Sequence, residues 1–398
     1  MLELLFLLLP IAAAYGWYMG HRSARKDQDN ISNKLSRDYV AGVNLLLSNQ
    51  REKAADLFLD ILQKQEQENN IETGSQFEAE LTLGNLYRSR GEVDRALRIH
   101  QALDRSPNYT FEQKLLAKQQ LAKDFMAVGF YDRAESLYIL LVDEPNYAEG
   151  ALQQLTVIYQ KTKEWKKAIN VAEKLAKIAP QKNNTALAHY YCEYSLTLGS
   201  DEREQEQAIN LLQQALNVSK TSVRASLLIA ERYIVNLEYK SAVQNLENVL
   251  EQNADYVGEV LPALKYCYQE LNQLDNFELF LIRASQICRN SAVDLALSDL
   301  IAEKDGIMAA QSKLYQQLGQ NPSTFIFHRF IQYQIDTAEN GRAKDSLVLL
   351  HKMVGDRIAR GFSYRCSNCG YQTHKLLWNC PACQRWEKIK PITGIEHN

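Results

Sequence analysis

The chain has 398 residues, 46% hydrophobic and 23% charged, with only 17 Gly and 8 Pro, which excludes a disordered polymer and describes a folded, helix-rich protein. That length exceeds one compact core of ordinary size, so the chain either divides into domains or extends as a solenoid. A formal net charge of −3 gives no broad cationic footprint, and nucleic acid is set aside as a partner.

Residues 1–20 carry a single charge, Glu3. At ~1.5 Å per residue they cover most of a ~30 Å hydrocarbon core, which predicts a transmembrane helix. A cleaved signal peptide ending at Ala12-Ala13-Ala14 is the rival. It is opposed by the lack of basic residues before the apolar run, by Arg22, Arg25 and Lys26 after it, and by Trp17 and Tyr18 where an interfacial aromatic belt belongs. The basic flank stays in the cytoplasm, so the N-terminus is expected outside and the rest of the chain inside. Residues 21–36 read as a polar juxtamembrane connector.

From residue 37 a repeat begins. Ala54, Ala96, Ala134, Ala168, Ala208 and Ala242 align at spacings of 42, 38, 34, 40 and 34, a base period of 34 with the surplus placed in polar loops. Twelve residues earlier stands a mostly small residue (Gly42, Gly84, Ala122, Thr156, Ala230). Nine earlier stands an apolar one (Leu45, Tyr87, Phe125, Tyr159, Tyr233). Small against small lets two helices cross closely, and core positions four and seven after the alanine, such as Phe58 with Ile61 or Tyr138 with Leu141, share one helical face. Pro107, Pro145 and Pro180 are expected to stop second helices. The pattern resembles the tetratricopeptide repeat, clearest at Tyr87–Ala96 and Tyr131–Ala134. It continues through Phe277, Ala310 and Ala343, for about nine repeats over 37–358. Such arrays offer a protein-binding groove. No catalytic motif accompanies it, so the chain is read as a non-enzyme. His189, His328 and His351 are isolated on helical patterns and read as packing or surface residues. Cys192, Cys267 and Cys288 read as small buried hydrophobes.

The tail, 361–398, holds Cys366-Ser-Asn-Cys369-Gly370 and, ten residues on, Cys380-Pro-Ala-Cys383. Two Cys-x-x-Cys turns this close make a four-thiolate metal site, tetrahedral and suited to iron or zinc. Disulfides are the weaker reading, because the expected compartment is reducing. Four thiolates fill a tetrahedron, which leaves His374 at the surface or behind the ligands. The tail is expected to be a terminal module on an arm. Its five basic residues (Arg365, Lys375, Arg385, Lys388, Lys390) against Glu387 and Glu396 make it positive in an acidic chain, which suits an anionic partner or lipid headgroup.

The whole chain resembles the lipopolysaccharide assembly protein B family of Gram-negative bacteria. The resemblance is carried by Leu2-Glu-Leu-Leu-Phe-Leu-Leu-Leu-Pro10, by Leu35-Ser-Arg-Asp-Tyr-Val-Ala-Gly-Val-Asn44, by Thr82-Leu-Gly-Asn85, and by Tyr364-Arg-Cys366 with Cys380-Pro-Ala-Cys383. It implies an all-α protein with an N-terminal transmembrane helix, a tetratricopeptide-repeat superhelical solenoid and a small rubredoxin-like knuckle. It also implies an inner-membrane adaptor that helps the protease FtsH degrade the deacetylase LpxC, is restrained by a YejM/PbgA-type membrane regulator, and coordinates lipopolysaccharide assembly enzymes. The metal ligands carry over to Cys366, Cys369, Cys380 and Cys383, with iron favoured in the rubredoxin manner and zinc also accommodated. Electron transfer by the knuckle is the alternative, and its basic charge argues against it. A glycan-modifying enzyme is a third reading that lacks any catalytic constellation.

Overall fold

The computed structural model describes residues 17–19, 37–68, 73–179, 184–199, 201–320 and 322–392. Of the anchor expected at 1–20, only Trp17, Tyr18 and Met19 fall among these, and all three are exposed. No helix among the described residues is long and apolar enough to cross a membrane. The connector at 21–36 and Pro180 lie outside the described residues.

Helices follow one another two per repeat: α1 (37–47), α2 (Arg51–Glu68), α3 (Thr73–Ser89), α4 (Val93–Arg105), α5 (Phe111–Val128), α6 (Tyr131–Val142), α7 (Pro145–Thr162), α8 (Trp165–Ile178) and α9 (Asn184–Leu196). Then come α10 (Glu202–Val218), α11 (Val223–Val235), α12 (Tyr239–Gln252), a 3₁₀ turn (Ala254–Tyr256), α13 (Val257–Glu270), α14 (Leu274–Ile287), α15 (Ser291–Asp305), α16 (Ile307–Gln320), α17 (Thr324–Thr337) and α18 (Arg342–Arg360). The fold is mostly helical but not all-α as expected. Beyond α18 lie β1 (Tyr364–Cys366), β2 (Gln372–Thr373) and β3 (Ile389–Pro391), an antiparallel sheet in the order β2-β1-β3. Short strands suit a segment that must turn sharply twice around one ion, where a helix cannot. The chain divides into two compact units, the first ending at Ile158 and the second beginning at Tyr159.

One turn chemistry recurs within the repeats. Asn49, Gly91, Gly129, Lys163, Leu237 and Asn272 each adopt a left-handed conformation, with φ between 55° and 83°. The next residue's N–H returns to a carbonyl five residues back: Gln50 to Leu45, Glu92 to Tyr87, Phe130 to Phe125, Glu164 to Tyr159, Glu238 to Tyr233 and Gln273 to Tyr268. This is the Schellman closure of the first helix, and it starts the second four residues before the aligned position. The sequence explains Gly91 and Gly129, because glycine carries no Cβ penalty there. Lys163 and Leu237 hold the same conformation within the same hydrogen-bonded closure, without glycine's freedom.

The aligned residues from Ala54 to Ala242 are fully buried, as are Phe277 and Ala310, while Ala343 is exposed. Ala343 lies on the last helix of the array, and no described side chain of α18 is buried. Pro145 opens α7 rather than ending α6, in keeping with its fixed φ and missing N–H at a first helical position.

In the first unit, a Cβ placed on Gly42 would lie 2.6 Å from Phe58, and one on Gly84 would lie 2.4 Å from His100. Phe58 and His100 thus fill the same knob position, four residues after the aligned alanine. The buried imidazole Nδ1 sits 2.5 Å from Asp124 Oδ2, and Arg88 donates to Asp124 Oδ1 at 2.9 Å and to the Gln120 side chain at 2.9 Å. In the second unit the main core runs from α11 to α15, through Leu246, Val249, Val260, Leu264, Phe277 and Leu281.

Candidate metal centre

The two Cys-x-x-Cys turns are built alike. Cys366 N–H donates to the Tyr371 carbonyl at 2.7 Å and its carbonyl accepts from Gly370 N–H at 2.9 Å; Cys380 does the same with Arg385 at 3.0 Å and Gln384 at 2.7 Å. Gly370 and Gln384 occupy matching places and are both left-handed, at φ 78° and 55°. This conformation turns the following amides, of Tyr371 and Arg385, onto the sulfurs of Cys369 and Cys383.

The four Sγ atoms lie within 4.8 Å of one another, with Cys366 to Cys383 at 3.8 Å and Cys369 to Cys380 at 3.6 Å. A tetrahedral ion with metal–sulfur bonds of about 2.3 Å requires sulfurs about 3.8 Å apart, so the cradle fits one ion. Cys366 and Cys380 are buried beside Ile389, whereas Cys369 is exposed. The Arg385 N–H, with the neighbouring sulfurs, draws the Cys383 thiol down to about 6. The Tyr371 N–H lowers Cys369, but desolvation and the other three sulfurs outweigh it and push that thiol up to about 12. Four thiols this close cannot all ionise unaided, and a cation offsets the repulsion. The same geometry accepts iron or zinc.

The knuckle is not a module on an arm: within the second unit it is seated on α9, on the 3₁₀ turn and on the start of α13. Trp386 stacks on His189 of α9 with ring centroids 4.6 Å apart and planes at 13°. Trp378 stacks on Tyr256 at 5.5 Å and 28°. The Tyr256 hydroxyl donates to the Ile389 carbonyl at 2.8 Å and the Tyr364 hydroxyl to Glu259 at 2.9 Å, while Lys390 meets Asp255 at 2.7 Å. His189 Nε2 lies 3.0 Å from Glu387, and burial lowers the imidazole pKa more than that carboxylate raises it. Nδ1 is buried and unpartnered among the described residues, so one ring N–H, on Nε2 and donated to Glu387, satisfies the contacts.

His189 is thus a packing residue with a specific partner 198 positions away. Its pairing with Trp386 and Glu387 was missed from sequence, where the only hint is two tryptophans in a segment whose cysteines need neither. His328 and His351 are not isolated either, since their rings stack 3.8 Å apart. His374 is exposed and packs on Phe362 at 4.7 Å, and it is not part of the cluster of four sulfurs. Cys192 and Cys267 are buried and Cys288 partly so, and burial raises all three thiols, Cys192 to about 12.

A family described as "Rubredoxin metal binding domain" matches residues 364–391, and "Tetratricopeptide repeat" matches 81–107 and 151–186. A protein named lipopolysaccharide assembly protein B from Haemophilus influenzae is 73% identical over 398 residues, covering 100% of both chains. The protein of that name from Escherichia coli is 48% identical over 397 residues, again covering 100% of both. Among solved structures, the C-terminal part of a TPR repeat-containing protein from Cytophaga hutchinsonii is 16% identical, with 64% of this chain and 98% of that one covered at a TM-score of 0.39. On the two full-length matches, the chain belongs to the lipopolysaccharide assembly protein B family.

Proposed function

We propose that this protein acts in lipopolysaccharide assembly as a non-catalytic adaptor at the inner membrane. The observation that carries the reading is the end-to-end identity of 73% with a relative named for that process. In this reading residues 1–20 anchor the chain, with the N-terminus periplasmic and the repeats and knuckle cytoplasmic. The repeats hold LpxC near the membrane protease FtsH, raising its local concentration rather than changing its chemistry. A YejM/PbgA-type membrane protein restrains the adaptor, and lipopolysaccharide assembly enzymes share the scaffold. Cys366, Cys369, Cys380 and Cys383 bind one ion, iron in the first instance, with a structural role.

The test is the half-life of LpxC in cells depleted of the protein. LpxC should persist, return to normal turnover with the intact chain, and persist again when residues 1–20 are removed from an array shown to be folded. A zinc-loaded form should restore turnover as well as an iron-loaded one, because zinc holds the same tetrahedron without redox chemistry. Unchanged LpxC turnover on depletion would refute the adaptor role, and failure of a correctly folded zinc form would point to electron transfer.

A further inference from the structure

Helices α15, α17 and α18 border a second, open pocket. Leu295 of α15, Phe325, His328, Arg329 and Gln332 of α17, and His351 of α18 line a cavity of about 320 Å³. The stacked imidazoles of His328 and His351, 3.8 Å apart at 25°, form one wall. Gly355 leaves room beside the ring, since a Cβ there would lie 3.1 Å from His328 Nε2. Among the described residues neither ring has a hydrogen-bond partner. Arg329, its side chain 43% exposed, makes a single long polar contact among the described residues, 3.5 Å to Asp299, whose other oxygen accepts from the Tyr333 hydroxyl. A guanidinium has five N–H donors, so most of Arg329 is unused by the fold. Burial, then His351 and Arg329, lower the pKa of His328.

Cationic or cation-forming groups therefore converge on one cavity whose lining contains no carboxylate. A divalent metal would have two imidazoles but no anionic ligand, and a guanidinium beside it. An anion would take a charge-assisted hydrogen bond from Arg329 and hydrogen bonds from the N–H groups of both rings. Leu295 and Phe325 supply an apolar wall beside that polar end. We infer that this cavity is a binding site for a phosphate monoester, its phosphate held by Arg329, His328 and His351 and its organic body lying on Leu295 and Phe325.

The experiment uses the full-length, metal-loaded protein labelled at its seven histidines. The probes are inorganic phosphate and phenyl phosphate, with the imidazole resonances followed by NMR. Both should move the His328 and His351 signals saturably and raise the pKa of His328, with phenyl phosphate the tighter. Arg329→Gln should weaken binding by about tenfold or more, as loss of a charge-assisted contact does, and Arg329→Lys should recover part of it. His328→Gln with His351→Gln should abolish binding while the metal content of the knuckle is unchanged. The proposal is overturned if neither probe gives a saturable shift, or if Arg329→Gln binds as the parent does. Equal affinity for the two probes would remove the organic body from it. A response of these histidines to zinc but not to phosphate would make the cavity a cation site instead.

Discussion

His100 occupies a place that Phe58 fills in the preceding repeat, and its burial is tolerable only because Asp124 and Arg88 complete the polar contacts. The Asp124 side chain is 0% exposed and Arg88 20%. Asp124→Ala should cost about 3–5 kcal/mol, as removal of one member of a buried charge network does. Hydrogen exchange of α4 and α5 in increasing denaturant would measure it. Adding His100→Phe to Asp124→Ala should recover part of the loss, because an aromatic knob fits the same cross-helix contact. An effect on exchange below about 1 kcal/mol, the scale of an exposed ion pair, would mean that the network is not holding the two helices together.

At the scale of elements, the left-handed turn residue is the device that lets 34 residues make two helices back to back. Gly129 caps α5 at φ 79°, its N–H reaching the Met126 and Phe125 carbonyls, and nothing lies within 4 Å of where its Cβ would be. Gly129→Ala is therefore a test of backbone conformation free of steric clash. It should lower stability by about 1 kcal/mol, the left-handed penalty for an L-residue, read as a shift in the denaturation midpoint. The same conformation at Leu237, 70% exposed, carries that penalty already in the natural chain.

Across the molecule, the knuckle and the repeats of the second unit depend on each other. A segment of about 28 residues cannot bury enough core to fold alone, so the ion is expected to supply its folding energy. Stripping the metal, or Cys380→Ser, should unfold residues 364–391 and break the Trp386–His189 and Trp378–Tyr256 stacks together. Tryptophan emission should shift to the red and the tail should become protease-sensitive, while far-ultraviolet circular dichroism keeps its helical signal. Unchanged emission after metal loss would show that the knuckle holds its seat without the ion.

The sequence by itself determined the local features. Alanine spacing located the helix pairs, because one fully buried small position recurs in each second helix, and two Cys-x-x-Cys turns located the metal cradle, because four thiolates satisfy a tetrahedron by themselves. These signals are short-range and periodic. What the tertiary structure decided are the long-range pairings: His189 with Trp386 and Glu387, Tyr256 with Trp378 and Ile389, His328 with His351, and His100 with Asp124. A histidine on a helix has the same local pattern whether it faces water, a tryptophan or a carboxylate. Only the folded chain places its partner, and in doing so it turned an expected terminal module into one seated on α9, the 3₁₀ turn and α13.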